Sequence, residues 1–378
     1  MRAPPLPSPP DADGYYTAYL PAGSYTLTVS SLGYWIATAS EVPIVVQGTT
    51  VRNFDLAPAP TVLLVDSGAW YYDSQIHYYR QALDQLSYTY DVWTIREPVN
   101  GAPRASDLHP YDVVFWSSPE DSPGYVNASH ALASYMEDGG SLFLSGQDVA
   151  YYDDYFPHIY ASYFRDYLKA RYVRDNTGIS DLAGQTGSLF EGLAFSISGS
   201  GGADNQTSPD EISVLDHNFA SSVVSYINDG SAGQEVNLGL PYRTIYLSYG
   251  LEAITSTVVR TEIISRSIAW LTAPPASTGL EMTPDKQSLI GSFGGIVTHT
   301  VRVRNTAETD SPDTFDLPLA DSPWPIAIIT PSITLAPCAS APATLSVEVQ
   351  TAATPWLRAA AIRPTRAPAP VLLVGAEP

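Results

Sequence analysis

Tyr25-Thr26-Leu27-Thr28-Val29 alternates ring or aliphatic residues with threonines at a period of two, which predicts a strand with one wet face. Val42 to Val46 and Val51 to Leu56 predict two more short strands, with turns at Gly33 and Gly48. From Thr61 the pattern changes. Thr61 to Asp66, Tyr90 to Ile95, Tyr111 to Trp116, Ser141 to Ser145 and Thr244 to Ser248 are short runs dominated by apolar residues. Between them, apolar residues recur at helical spacing. One predicted helix buries Ile76, Tyr79, Leu83 and Leu86, with Asp73 or Ser74 as its cap. A second is capped by Ser129, buries Leu132, Tyr135 and Met136, and stops at Gly139-Gly140. A third buries Ile264, Ile268 and Leu271. Apolar strands alternating with amphipathic helices predict an α/β doubly wound parallel sheet, covered on both faces. Period two returns at Thr300 to Asn305 and Leu345 to Gln350, as in a sandwich with one solvated face.

Two Pro/Ala joints, Ala57-Pro58-Ala59-Pro60 and Ala273-Pro274-Pro275-Ala276-Ser277, read as stiff linkers. The expected organisation is multidomain: a central α/β domain over 61–273, flanked by two small all-β sandwich modules at 1–57 and 279–352. Residues 353–378 are Ala/Pro/Arg-rich and are expected to form a disordered tail.

Three resemblances accompany this division. The stretch from Leu20-Pro21-Ala22-Gly23-Ser24-Tyr25-Thr26-Leu27 to Gly33-Tyr34 resembles the second half of a carboxypeptidase-regulatory-like domain. That family's opening strands have no counterpart, so the chain is expected to be a fragment or to start late. The central block resembles the class I glutamine-amidotransferase-like superfamily, which includes ThuA-type domains and implies a flavodoxin-like fold. The residues carrying it are Val62 to Asp66, Gly139 to Asp148, and Tyr246 to Glu252 running into Ile268 to Leu271. Residues from Thr298 through Asn305, Asp313 to Leu317, Trp324, and Thr334 to Pro337 resemble an immunoglobulin-like module of the NEW3 type. Such modules accompany secreted bacterial enzymes, which implies a secreted or cell-surface location.

Charge narrows the partners. With 18 Lys+Arg against 39 Asp+Glu, the formal net charge is −21. That excludes a sequence-independent nucleic-acid binder and disfavours docking on anionic lipid. No apolar run is long enough for a membrane span. Charged residues make up only 15 %, and the uncharged polar surface this leaves is common among secreted bacterial proteins. A single cysteine, Cys338, rules out a disulfide framework and Cys-rich metal sites.

Candidate chemistry lies at the carboxyl ends of the central strands, where open α/β sheets bind ligands. Asp66, Ser67, Ser117, Gln147, Asp148 and Glu252 are placed there, with Asp66 and Asp148 the best ligand-binding candidates. The plainer reading of Asp66-Ser67-Gly68 is a turn. An amidotransferase would need a cysteine at the strand-to-helix elbow and a histidine base. Ser145-Gly146-Gln147 occupies that place here. Ser145 is the catalytic candidate, with Gly146 offering an N–H to an oxyanion and His130 and His158 as possible bases, but Gly-x-Ser-x-Gly is absent. Asp153-Asp154, Asp204-Asn205 and Asp210-Glu211 offer oxygen ligands without EF-hand spacing and read more simply as surface acidity. Asp11-x-Asp13-Gly14 reads as a turn. No metal site and no cofactor are expected. The Tyr-rich stretches Trp70-Tyr71-Tyr72 and Tyr151 to Tyr167 suit a sugar or protein surface, or a helix packed on the sheet. Asn127 and Asn205 begin glycosylation sequons.

The expected role is a non-catalytic scaffold, adhesion or accessory region of a secreted protein. Its partners would be a polysaccharide, a protein, or a catalytic module outside this chain. The alternatives are a hydrolase, or the accessory part of an exopeptidase, with its site at the strand ends, and carbohydrate binding.

Overall fold

The alternating and continuous apolar patterns become different sheets in the computed structural model, which describes residues 11, 14–156, 161–217, 219–237, 240–274, 280–284, 295–307, 312–317, 326–348, 359–362 and 372–375. The chain divides into two compact units. One holds residues 1–215, 221–235 and 243–272; the other holds 216–220, 236–242 and 273–378.

In the first unit, β1 (Gly23–Val29) and β2 (Ala37–Ile44) pair antiparallel, with Gly23 opposite Ile44 and Val29 opposite Ala37. Residues 51–56, expected as a strand, join no sheet. They leave no side chain fully buried, so no packed face draws them into pairing. The joint after them is tied down rather than free. Trp35 N–H donates to Ala57 O at 2.9 Å, and Ala59 N–H donates to Gly33 O at 2.9 Å. Gly33 has φ +79°, a left-handed turn position that suits glycine.

The central domain runs β3 (Val62–Asp66), α1 (Ile76–Gln85), β4 (Tyr90–Thr94), α2 (Ala105–Leu108), β5 (Val113–Ser117), α3 (Ser129–Glu137) and β6 (Ser141–Ser145). A π-helical turn (Tyr151–Tyr155) and α4 (Ser162–Asp166) follow. Then come β7 (Ala170–Arg174), β8 (Asp181–Gly184), β9 (Ala194–Ser196), β10 (Glu211–Val214), β11 (Ala220–Tyr226) and β12 (Ser231–Val236). β13 (Arg243–Leu247) and α5 (Thr257–Leu271) close it.

Five strands lie in the order β4-β3-β5-β6-β13, all in parallel pairs. Every residue of β3, β5 and β6 is buried. Val62, Leu64, Val113, Phe115, Phe143, Ile245 and Leu247 share one cluster with Tyr79 and Leu83 of α1 and Ile264 and Ile268 of α5. The residues between them face the other way and are buried too, so both faces are covered.

The sequence pattern predicts a parallel sheet throughout, and the sheet departs from this. Past β13 it continues through β12, β11, β8 and β9, with β10 paired to β12 and β7, making a mixed sheet of eleven strands. The pairs β11–β8, β8–β9, β10–β12 and β10–β7 are antiparallel. All these strands come from the insertion between β6 and β13. The β8–β9 and β11–β12 connections are too short for the long crossovers that parallel pairing needs. The result is an α/β domain with few helices, accompanied by small β modules.

Helix caps also differ from expectation. Gln75 and Ala128, not Asp73, Ser74 or Ser129, stand at the N-caps of α1 and α3, and neither supplies a capping bond. Ser74 Oγ is spent on Asp66 Oδ2 at 2.6 Å, and Asp73 accepts from Gln75 Nε2 at 2.6 Å. Ser256 does cap α5, its Oγ accepting from Val259 N–H at 3.3 Å.

The second unit contains β14 (Leu280–Pro284), β15 (Ile296–Asn305), β16 (Asp313–Asp316), β17 (Ile326–Ile328), β18 (Ser332–Leu335) and β19 (Ser340–Glu348). Four of these form a sheet in the order β14-β15-β19-β17, and β16 pairs with β18. Val301, Val303, Phe315, Leu335 and Leu345 bring both sheets into one core. In the segment expected as a disordered tail, β20 (Ala359–Ile362) and β21 (Leu372–Gly375) pair antiparallel; its other residues lie outside those described. Among the described residues no helix is long and apolar enough to cross a membrane.

Candidate functional site

Parallel register sets Asp66 of β3 beside Ser117 of β5, and Ser117 beside Ser145 of β6. The strands therefore end in one polar row at the carboxyl edge, as the sequence predicts. The row is buried, and most of its groups are already engaged.

Ser145 Oγ lies 2.5 Å from the Tyr79 hydroxyl and accepts from Leu251 N–H at 3.3 Å. Both side chains are buried. Desolvation, with Glu252 nearby, pushes the Tyr79 phenol well above its usual range, so it stays protonated and is no general base. Among the described residues no histidine hydrogen-bonds Ser145. His130 is exposed on α3, and His158 lies outside those residues. The N–H of Gly146, expected to face an oxyanion, instead donates to Leu247 O at 3.3 Å. Gly146 is required by close approach, since a Cβ there would sit 1.8 Å from Ser118 O.

Asp66 accepts from Ser74. Burial pushes its carboxyl up, while the Ser74 hydroxyl and the Ala69 and Gly68 N–H groups pull it back. Ser67 Oγ donates to Asp121 Oδ2 at 2.5 Å, and Trp70 Nε1 donates to the same oxygen at 3.0 Å. Asp121 is buried, and desolvation raises it to about 7. The helical turn Gly68–Tyr71 follows directly, so this segment is the turn that its sequence suggests.

Gln147 is a clamp. Its Oε1 accepts from Thr207 N–H at 2.7 Å and Ser208 N–H at 2.9 Å, and its Nε2 donates to Asn205 O at 3.0 Å. Buried Glu252 accepts from Asn205 Nδ2 at 3.2 Å, and desolvation raises its carboxyl to about 7. The Asn205 amide is thus engaged inside the fold, unlike an open glycan acceptor. Gln147 and Glu252 hold the 205–208 loop.

Asp148 is half-buried with φ +62°, and desolvation and the charges of Asp175 and Glu120 raise it to about 7. It faces acids that sequence spacing did not join to it. Asp148, Asp175 and Asp210 each bring a carboxylate oxygen within 4.8 Å of the other two.

Asp153 and Asp154 are buried rather than surface charge, whereas Asp204 is exposed as expected. Asp153 is buried and accepts from Ser122 Oγ at 2.6 Å, Tyr163 hydroxyl at 2.6 Å and Gly124 N–H at 3.1 Å. Asp154 pairs with Arg165 and accepts from Tyr172 N–H at 2.7 Å. Asp204 accepts from Gly199 N–H at 2.7 Å. Asp11 forms the expected turn, accepting from Tyr15 N–H at 2.9 Å; Asp13 lies outside the described residues.

The tyrosines divide. Tyr163 and Phe164 of α4 are buried, as a packed helix requires; Tyr160 lies outside the described residues. Tyr155 is 62 % exposed and stacks on Tyr172, ring centroids 4.9 Å apart. Trp70 stacks on Tyr125 at 5.7 Å, and Tyr125 meets Tyr152 edge-on at 5.6 Å.

Sequence reasoning missed Asp121, Asp175 and the role of Tyr79. Asp121 carried a usable signal: an acid shortly beyond a strand end, like Asp148. Asp175 carried none, because only the β7–β10 pairing brings it to Asp210.

No family model matches the chain, and no curated protein matches it. Among solved structures, it is similar to a ThuA-like protein from Bacteroides uniformis, with 14 % sequence identity and a TM-score of 0.41, over 58 % of this chain and 94 % of that one.

Proposed function

We propose that this chain is a non-catalytic scaffold or accessory region of a secreted or cell-surface protein, spacing or presenting a partner. The observation that carries this reading is the state of Ser145. Its hydroxyl is buried between Tyr79 and Leu251, with no histidine bonded to it among the described residues, and the Gly146 N–H is spent on Leu247 O. In this reading the central domain is a doubly wound, flavodoxin-like sheet. Its parallel strands, counted along the chain, have the order 2-1-3-4-5. Residues 1–57 and 279–352 serve as carboxypeptidase-regulatory-like and immunoglobulin-like modules beside it. The test is a panel of ester, amide and glycoside substrates with the wild-type chain and Ser145→Ala. No turnover that depends on Ser145 is expected; turnover abolished by Ser145→Ala would establish a hydrolase instead.

The exposed Tyr155–Tyr172 stack and the Trp70–Tyr125 stack favour a second reading, binding of sugar rings by an aromatic face. Retention of the chain on one of a set of insoluble polysaccharides, lost in Tyr155→Ala, would support it. Equal retention of both proteins would remove it.

A further inference from the structure

We propose that Asp148, Asp175 and Asp210 form a Ca²⁺ site that fastens the inserted strands to the carboxyl edge of the parallel sheet. Three separate pieces of chain meet there. Asp148 lies in the turn after β6. Asp175 directly follows β7, and Asp210 directly precedes β10. The antiparallel register pairs Arg174 with Glu211, so Asp175 and Asp210 fall opposite each other at one end of that ribbon.

Asp210 is more than a member of an acidic cluster. It is fully buried, and its Oδ1 has no hydrogen-bond donor. Its other oxygen accepts from Tyr151 N–H at 3.1 Å. Its backbone is pinned on both sides. Asp210 N–H donates to Ser248 O at 3.1 Å, and Asp210 O accepts from Ser248 Oγ at 2.6 Å and the Tyr226 hydroxyl at 3.0 Å. A buried carboxyl held this firmly, facing two more carboxylates, must carry a proton or face a cation to offset its lost hydration. Arg174, next to Asp175, does not supply that cation, since it pairs with Glu211 and Asp229.

The donor set selects the ion class. All three ligands are carboxylates, with no imidazole or thiolate, which suits a hard cation and disfavours zinc or copper. Ca²⁺ accepts irregular sets of six to eight oxygens, including water. Exposed Asp175 and half-buried Asp148 leave one side of the cluster open for water. Mg²⁺ demands a near-octahedral shell and keeps most of its water, so it gains less from three convergent carboxylates.

The test uses the full chain stripped with EDTA and titrated with CaCl₂ by calorimetry and thermal unfolding. One saturable site with Kd of about 10⁻⁵ to 10⁻³ M is expected, with a rise in the unfolding temperature. Tb³⁺ should bind in its place and emit when tyrosine is excited, since Tyr152 and Tyr172 lie within electrostatic reach of these carboxylates. Asp175→Asn alters an exposed side chain and should leave the fold intact. It should weaken Ca²⁺ at least tenfold and abolish the thermal shift, as should Asp148→Asn. Asp91→Asn, a single acid removed elsewhere, should leave binding unchanged. The site is overturned by no saturable Ca²⁺ binding, by binding that survives both Asp175→Asn and Asp148→Asn, or by equal loss in Asp91→Asn. Mg²⁺ binding as tightly as Ca²⁺ would overturn the choice of ion. These outcomes do not depend on whether Ser145 is catalytic.

Discussion

The Tyr79 hydroxyl and Ser145 Oγ lie 2.5 Å apart, in full burial, joining α1 to the end of β6. A polar pair in this position is a structural rivet. Removing one partner strands the other in a dry interior. Ser145→Ala should cost about 1–3 kcal/mol of stability. Tyr79→Phe with Ser145→Ala should cost less than the sum of the two single changes, because the hydroxyl that each single change strands is then gone and only the Leu251 N–H loses its acceptor. Denaturant unfolding of the three variants measures this. Strict additivity would show that the pair contributes no coupling.

Gln147 holds the 205–208 loop through three bonds, two of them to the Thr207 and Ser208 amides. Gln147→Ala should therefore speed hydrogen exchange at those two amides about tenfold or more, while β3, β5 and β6 keep their protection. Peptide-level exchange mass spectrometry reads both regions in one experiment. Unchanged exchange at 207–208 would mean that the loop is held by other contacts.

Buried acids set the sign of the pH dependence. Desolvation raises Asp121 and Asp153 from 3.8, and Glu252 from 4.5, each to about 7. In the unfolded chain these groups ionise near their ordinary values. Between about 4 and 7 the unfolded state therefore holds fewer protons, and stability falls as pH rises. Their contribution is fully present below about pH 4 and lost by about pH 7, at roughly 1 kcal/mol per pH unit for each buried group. The unfolding temperature of the central domain should drop by several degrees from pH 5 to pH 8. Asp121→Asn, which can still accept from Ser67 and Trp70, should flatten that slope. An unfolding temperature that climbs over this range would contradict the assignment of buried, protonated acids.

Much of the central domain is legible in its sequence, for a physical reason. Continuous runs such as Val62 to Val65 and Leu142 to Leu144 fit only strands buried on both faces, so β3, β5 and β6 announce themselves. The inserted strands do not. Glu211 to Val214 and Ser231 to Val236 mix polar and apolar residues, and their pairing depends on contacts distant in sequence. The site shows the same split. Asp66, Ser145 and Gln147 were placed at the strand ends by their position after apolar runs. That their polar atoms face inward, to Ser74, Tyr79 and the 205–208 loop, was set by side-chain partners that no local pattern carries. Residues 51–56 failed in the opposite sense: Val51, Phe54 and Leu56 suggest a strand, but no buried face receives them.

The most direct test asks whether Ser145 can react at all. The folded chain would be incubated with a fluorophosphonate, and its intact mass measured, with the Ser145→Ala variant in parallel. The expected result is an unmodified mass for both proteins, because the hydroxyl is enclosed by Tyr79 and Leu251 and no histidine bonds it among the described residues. One phosphonyl adduct on the wild-type chain, mapped to Ser145 and absent from the variant, would contradict the non-catalytic reading.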